Sequence, residues 1–399
     1  MEDVVKAVLL SMSSVKTPQR LFMIGLFSVL VSFQGKATFR NLSRYCNMHE
    51  KRFSRWYRRH FDFDLFNTRL IEHELPDGAE RIAAIDASFM KKSGQHTEGL
   101  AWFYHGQLGQ AMKGLELSLV CVIDLKANTA YGLDARQTVD NDNVDETRVD
   151  FYASQVTALA STLKDQGIDY LAADAYYSKK KFVDVVCSRH LNLVGKLRVD
   201  ASLQWYFEGP CRGIGRPKKY DGKVDFQADL ARFDRVGLLD DGTEVYSAVV
   251  YATTFKRPIR VVLLRQEVGE RMGHALLFST DTGLDPLKIV TYYKARFQIE
   301  FLFRDAKQYT RLMDCQARCK AAIHTHINAS LTALNLLKLE DRRDKKITGE
   351  SVISIASWRR KKFNQNLMTR LFCTLGLSRD CNKVAQAYDA LSDYGAIAA

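Results

Sequence analysis

The chain has 399 residues and a mass of 45.5 kDa, enough to bury a full core and to divide into two or three domains. Its 58 lysines and arginines against 46 aspartates and glutamates give a formal net charge of +12, spread along the chain rather than held in a tail, and this points to a polyanionic partner. The apolar run Leu21 to Phe33 falls short of the roughly 20 residues that cross a bilayer. The eight cysteines are irregularly spaced with no secretory leader before them, so they read as buried thiols of a reducing compartment rather than a disulfide framework.

A helix is expected from Thr17-Pro18, with Pro18 in its first turn, continuing through the buried run to a break at Gly35. A short helix over Thr38 to Tyr45 precedes a strongly basic one over Glu50 to Arg59. This pair fits two readings. Arg55, Arg58 and Arg59 face a DNA groove while the neighbouring helix crosses the backbone, or a plain helical domain turns them to solvent around a core of Phe53, Trp56 and Tyr57.

Arg81 to Met90 reads as an apolar strand interrupted by Asp86, and Leu117 to Leu125 as a second buried strand, with its hairpin partner around Gly132. Gly106, Gly109 and Gly114 form no phosphate cradle and read as turns. A polar loop over Asp140 to Arg148 leads to a helix over Phe151 to Lys164, and then to an apolar run, Ile168 to Ala173, that ends at Asp174. This alternation is an α/β layer pattern.

Between Leu193 and Phe278 short β-prone runs separated by Gly- and Asp-rich turns read as a β-rich insertion or subdomain. Within it, Gly215-Arg216-Pro217-Lys218-Lys219 reads either as an arm entering a minor groove or as a basic turn contacting phosphate. Two helices follow, one over 293–307 and a largely interior one over Lys320 to Leu339. Cys315 and Cys319 share a helical face, but His324 and His326 point apart, which argues against zinc. The charged tail from Asp341, with Arg359-Arg360-Lys361-Lys362, reads as a helical appendage or a partly mobile one.

The segment 293–307 carries the most chemistry. At about 100° per residue Tyr293, Arg296, Glu300 and Lys307 fall within an arc of roughly 60°, with Phe297 and Phe301 turned toward another face. A carboxylate between two cations and a phenol suits a metal ligand beside a phosphate-rich substrate, although an ordinary surface helix also alternates Glu with Lys. Asp86 and Asp174 stand where apolar strands give way to polar sequence. With Glu300 they could cradle two divalent ions about 4 Å apart. All-oxygen ligation favours Mg²⁺, with Mn²⁺ as a substitute. Taken singly, each Asp reads sooner as a strand-end cap or turn residue than as a metal ligand, and Asp124 is the rival acid.

On these residues the chain resembles the bacterial insertion-sequence transposases of the DDE superfamily, in the subgroup whose third motif is Tyr-x2-Arg-x3-Glu-x6-Lys. Tyr293, Arg296, Glu300 and Lys307 match it without a gap. By the same resemblance Asp86 in Ile-Asp-Ala-Ser and Asp174 in Ala-Ala-Asp-Ala-Tyr-Tyr are the first and second acids. The likeness covers roughly residues 80 to 335.

The resemblance implies an α/β fold with an RNase H-like core in two parts (76–192 and 286–340), interrupted by a β-rich insertion (193–285). A helical DNA-binding domain (1–75) precedes it and a basic C-terminal region (341–399) follows. It implies a synaptic homodimer acting on double-stranded DNA, both terminal inverted repeats and target, in the bacterial cytoplasm at the nucleoid. Asp86, Asp174 and Glu300 would be catalytic and hold the metal. Tyr293 and Arg296 would hold terminal nucleotides and phosphate, and Lys307 would neutralise backbone charge. Water would first attack at the transposon end and the freed 3′-OH would attack target DNA, with a hairpin on the opposite strand as a further step. The stretch Tyr176-Tyr177-Ser178 followed by Lys179-Lys180-Lys181 departs from the subgroup's more polar versions and bears on the hairpin. The other classes are a nuclease of the same fold without strand transfer and a non-catalytic DNA-binding derivative.

Overall fold

A computed structural model describes residues 1–75, 78–106, 108–140, 146–210, 217–268, 271–348, 354–378 and 380–396. Five helices come first: α1 (Glu2–Ser11), α2 (Thr17–Ser32), α3 (Phe39–Leu42), α4 (Glu50–Trp56) and α5 (Phe63–Glu74). Pro18 sits in the first turn of α2, as expected, while α1 lies upstream of any helix the sequence suggested. Phe22 of α2 packs edge-on to Phe53 at 5.8 Å and stacks on Trp56 at 5.6 Å, so the aromatics of α4 form core while Arg55, Arg58 and Arg59 are exposed.

The sheet begins with β1 (Arg81–Lys91), β2 (Ala101–His105), β3 (Gln110–Asp124) and β4 (Thr129–Gln137). Next come α6 (Arg148–Asp165), β5 (Tyr170–Ala173), α7 (Lys180–Ser188) and β6 (Asn192–Leu197). β3 runs antiparallel to β1, β2 and β4, whereas β5 is parallel to β1 and β6 parallel to β5. The order β4-β3-β1-β5-β6 is that of an RNase H-like core. The second strand is longer than its apolar run suggested because its polar first half forms a hairpin with β2. Gly114 lies inside that strand rather than in a turn: a Cβ there would meet the Phe89 ring at 2.5 Å and the Met90 carbonyl at 2.7 Å.

The β-rich segment supplies β7 (Leu203–Tyr206), β8 (Tyr220–Lys223), β9 (Asp234–Leu238), β10 (Glu244–Ala252), β11 (Arg257–Val268) and β12 (Arg271–Ser279). It extends the same sheet, because β12 pairs antiparallel with β6 and the order continues β12-β11-β10-β7-β8. The chain then forms α8 (Pro286–Ala295), α9 (Gln298–Tyr309), α10 (Lys320–Thr348), α11 (Ile355–Leu375) and α12 (Asn382–Ser392). Three helices therefore follow the β-rich segment before the tail, not two. The tail is helical and attached: Trp358 and Arg359 are buried, and Arg359 donates to the Phe33 carbonyl at 2.6 Å.

Strand alternation divides the interior between the two faces of the sheet. Ala83, Ile85, Val120 and Val122 pack with α6 and α7, while Ile82, Ala84, Leu119 and Cys121 pack with α8, α9 and α10. The outer edge of β4 is covered by asparagines. Asn328 exchanges two hydrogen bonds with the Ala135 backbone at 2.9 and 2.8 Å, and Asn335 two with Gly132 at 2.8 and 2.7 Å. An edge whose peptide groups would otherwise lie buried without partners is thereby closed. Among the described residues, no helix is long and apolar enough to cross a membrane.

Candidate active site

The β1–β5 register aligns two of the acids. Ile85 pairs with Ala173, so Asp86 and Asp174 follow at one level on neighbouring strands whose backbones run about 4.8 Å apart. Asp86 is not at a strand end, as its sequence context suggested; it is the middle of β1. β5 stops at Ala173, leaving the edge of β1 beyond Asp86 unpaired on that side among the described residues, and this gives a mid-strand carboxylate its access. Asp174 accepts the Tyr176 N–H at 2.8 Å and caps a single 3₁₀ turn.

The third acid arrives on a broken helix. One continuous helix was expected through 293–307; instead α8 ends at Ala295, Arg296 and Phe297 form a corner, and α9 begins at Gln298. The corner keeps right-handed helical dihedrals, so Tyr293, Arg296 and Glu300 still cluster. Arg296 is 5% exposed and links the acids, with Nη2 donating to Glu300 Oε1 at 2.9 Å and Nη1 lying 3.8 Å from Asp86 Oδ2. Its guanidinium lies 4.5 Å from the Phe297 ring centroid and 5.6 Å from that of Tyr293. Lys307, one helical stretch on, donates from Nζ to Ser88 Oγ at 2.7 Å, and burial pushes its ammonium pKa down. Ser88 closes the Ile-Asp-Ala-Ser stretch and carries no role on sequence grounds, although its position two residues after Asp86 puts both on one face of β1.

Asp86, Asp174, Glu300 and Lys307 line one open cleft of about 950 Å³, together with Ser88, Glu116, Arg148, Tyr152 and Tyr176. Arg296, bonded to Glu300, and Tyr293 beside it adjoin the cleft without lining it. Burial raises the Asp86 carboxyl to about 7; the charges of Asp174 and Glu300 push the same way, while the Ala87 N–H at 2.8 Å and Arg296 oppose it. A model of the family described as transposase DDE domain matches residues 77–336. The chain belongs to the DDE transposase family. No curated protein matches it. Membership makes the chain an enzyme of metal-dependent polynucleotidyl transfer acting on DNA, of the insertion-sequence kind.

Metal dependence fits the residues of this DDE transposase. The donors are carboxylate oxygens lining one cleft, and a cation there would offset both the burial that chiefly raises the Asp86 pKa and the smaller push from the charges of Asp174 and Glu300. Among the described residues, no group of three or more His, Cys, Asp or Glu is closed into a metal-holding arrangement, and the Arg296 guanidinium stands between Asp86 and Glu300. Asp124, the rival acid, is fully buried, ion-paired with Arg342, and accepts the Ala127 N–H at 3.0 Å in the β3–β4 turn. His326 is bonded to the Arg311 carbonyl at 3.1 Å.

The other residues singled out in the sequence lie off this cleft. Arg58 borders a second cavity of about 480 Å³ that shares no lining residue with the first, and Arg59 stacks over Trp56 at 4.4 Å. Lys218 pairs with Asp221 at 2.8 Å, Lys219 is exposed, and Arg216 lies outside the described residues. The expectation of uniformly buried thiols is corrected. Among the described residues Cys121 and Cys315 are buried, Cys373 and Cys381 are exposed, and all seven cysteines there are free.

Proposed function

We propose that this DDE transposase cuts DNA at the ends of its element and joins the freed 3′-OH to target DNA, with Asp86, Asp174 and Glu300 as catalytic acids. The observation that carries the reading is the β1–β5 register, which sets two acids level in a cleft that Glu300 and Lys307 also line. Two Mg²⁺ ions, or Mn²⁺ in their place, held by these carboxylates would activate the attacking oxygen and steady the leaving one. Arg296 orients Asp86 and Glu300 and, with Tyr293, meets the terminal nucleotide as DNA enters. Lys307 neutralises a backbone phosphate beside Ser88. Water attacks the phosphodiester at the element's end and the 3′-OH leaves; that hydroxyl then attacks a target phosphodiester, whose own 3′-oxygen leaves, or first attacks the opposite strand in the same way to close a hairpin that a second water reopens.

Residues 1–75, through Arg55, Arg58 and Arg59, grip the terminal repeats. The segment with Arg216, Lys218 and Lys219 adds backbone contacts from the 193–285 insertion, and two copies synapse the ends in the bacterial cytoplasm. The core is contributed by 76–192 and 286–340, with 341–399 appended. The test uses the full chain, Mg²⁺ and a plasmid carrying the element's own ends. Nicked ends and joined products are expected, and Asp86→Asn, Asp174→Asn and Glu300→Gln should each lose nicking while still binding DNA. Full nicking by any of these variants removes that acid from the assignment. Nicking without joining makes the protein a nuclease, and binding without nicking a non-catalytic derivative.

A further inference from the structure

Past the carboxylates the cleft holds side chains to which the proposed chemistry gives no task. Because β1 outruns β5, the cleft opens onto both faces of the sheet, and on the α6 face it is walled by Glu116, Arg148, Tyr152 and His105. Glu116 is 7% exposed, and one of its oxygens accepts from Thr138 Oγ1 at 3.1 Å and from Tyr152 OH at 2.8 Å. Arg148 reaches the other oxygen only with Nη1, at 3.4 Å. Among the described residues its buried Nε and Nη2 have no partner, and neither has the buried His105 Nδ1. Nε and Nη2 form the guanidinium edge that grips an anion in two parallel hydrogen bonds.

A side chain serving only as counter-ion to Glu116 would turn that edge toward the carboxylate. Arg148 is held otherwise. Its guanidinium lies 4.8 Å over the Phe103 ring, and His105 packs at 4.9 Å on Phe89; these two phenylalanines share a small core with Ala101 at the root of the β2–β3 hairpin. One aromatic platform thus carries both unpartnered groups beside the cleft.

We propose that Arg148, assisted by His105, anchors a DNA backbone phosphate on the α6 side of the cleft, next to the phosphate that the carboxylates address. A phosphate offers several acceptor oxygens to the guanidinium edge and the imidazole together. Lys307 on the α9 side and Arg148 on the α6 side bracket the acids, so a strand crossing the end of β5 meets a cation on each flank. The inference rests on the reading of this cleft as a DNA-cleaving site.

The test measures binding of the full chain to a fluorescent duplex DNA of arbitrary sequence, without divalent metal, across a salt series. Arg148→Gln should weaken binding about tenfold and reduce the salt slope by about 0.9, the contribution of one phosphate contact. His105→Ala should weaken it about threefold. Since Arg148→Gln leaves Glu116 without its cation, the double variant Glu116→Gln/Arg148→Gln, which keeps Thr138 and Tyr152 as partners, carries the same measurement if the single variant unfolds. Wild-type affinity and slope in a folded variant would make Arg148 a counter-ion only and overturn the proposal. If the wild-type chain nicks DNA in Mg²⁺ while the variant's slope is unchanged, this inference alone fails. A wild-type chain that binds no duplex, the element's own ends included, overturns the cleavage reading together with it.

Discussion

Replacing Asp86 by asparagine should make the folded chain more stable while removing its activity. The carboxyl sits at about 7 in the folded chain against 3.8 when exposed. Between those values the unfolded chain has released a proton that the folded one keeps, so stability falls as pH rises through this window and stays low above it. A rise from 3.8 to about 7 corresponds to at most about 4 kcal/mol above neutral pH, at about 1.4 kcal/mol per pH unit. Asparagine keeps an oxygen for the Ala87 N–H and gives up only the 3.8 Å contact with Arg296. Urea unfolding without divalent metal, at about pH 5 and about pH 8, should show the variant's advantage widening by roughly 2–3 kcal/mol between the two. Mg²⁺ should then raise the stability of the wild type and not that of the variant. A variant less stable than wild type at both pH values, or an advantage that does not change with pH, would refute the argument that Asp86 is held against its own charge.

Lys307→Ala should reduce the salt dependence of DNA binding by about one phosphate contact, and an unchanged slope in a salt titration would count against its backbone role. Asn335→Leu strips the N–H and carbonyl of Gly132 of their partners and should cost about 2–4 kcal/mol in urea unfolding; a loss well under 1 kcal/mol would mean the β4 edge finds other partners. Burial lowers the His326 pKa from 6.5 to about 4, so the folded chain keeps this ring neutral where the unfolded chain protonates it. Stability from this residue is complete above about pH 6.5 and should decline by up to about 3 kcal/mol as pH falls toward 4. A His326→Gln variant should show a shallower decline over the same range in urea midpoints, and a slope equal to the wild type's would remove His326 as its source.

Much of the site was legible because its residues lie close together in sequence. Tyr293, Arg296 and Glu300 need only helical geometry to meet, and the corner at Arg296–Phe297 preserved their clustering although it broke the helix. Asp86 was legible as an acid inside an apolar run, yet the reason for its access was not: β5 is shorter than β1, and no local pattern in residues 81–91 reports a neighbour's length. Glu116, Arg148 and His105 were missed for a related reason. They come from three elements, and each is unremarkable until the sheet brings them to one wall.

Local periodicity and capping, which act within a few residues, determined by themselves the alternation of strands and helices, the buried run of α2 and the third motif on its helical stripe. Tertiary structure decided what depends on pairing between distant segments. It set Asp86 level with Asp174, turned the β-rich segment into an extension of the core sheet, and brought asparagines of α10 to the edge of β4. Hydrogen-bond register and the need to satisfy buried peptide groups are met between elements far apart in the chain, so no single stretch of residues encodes them.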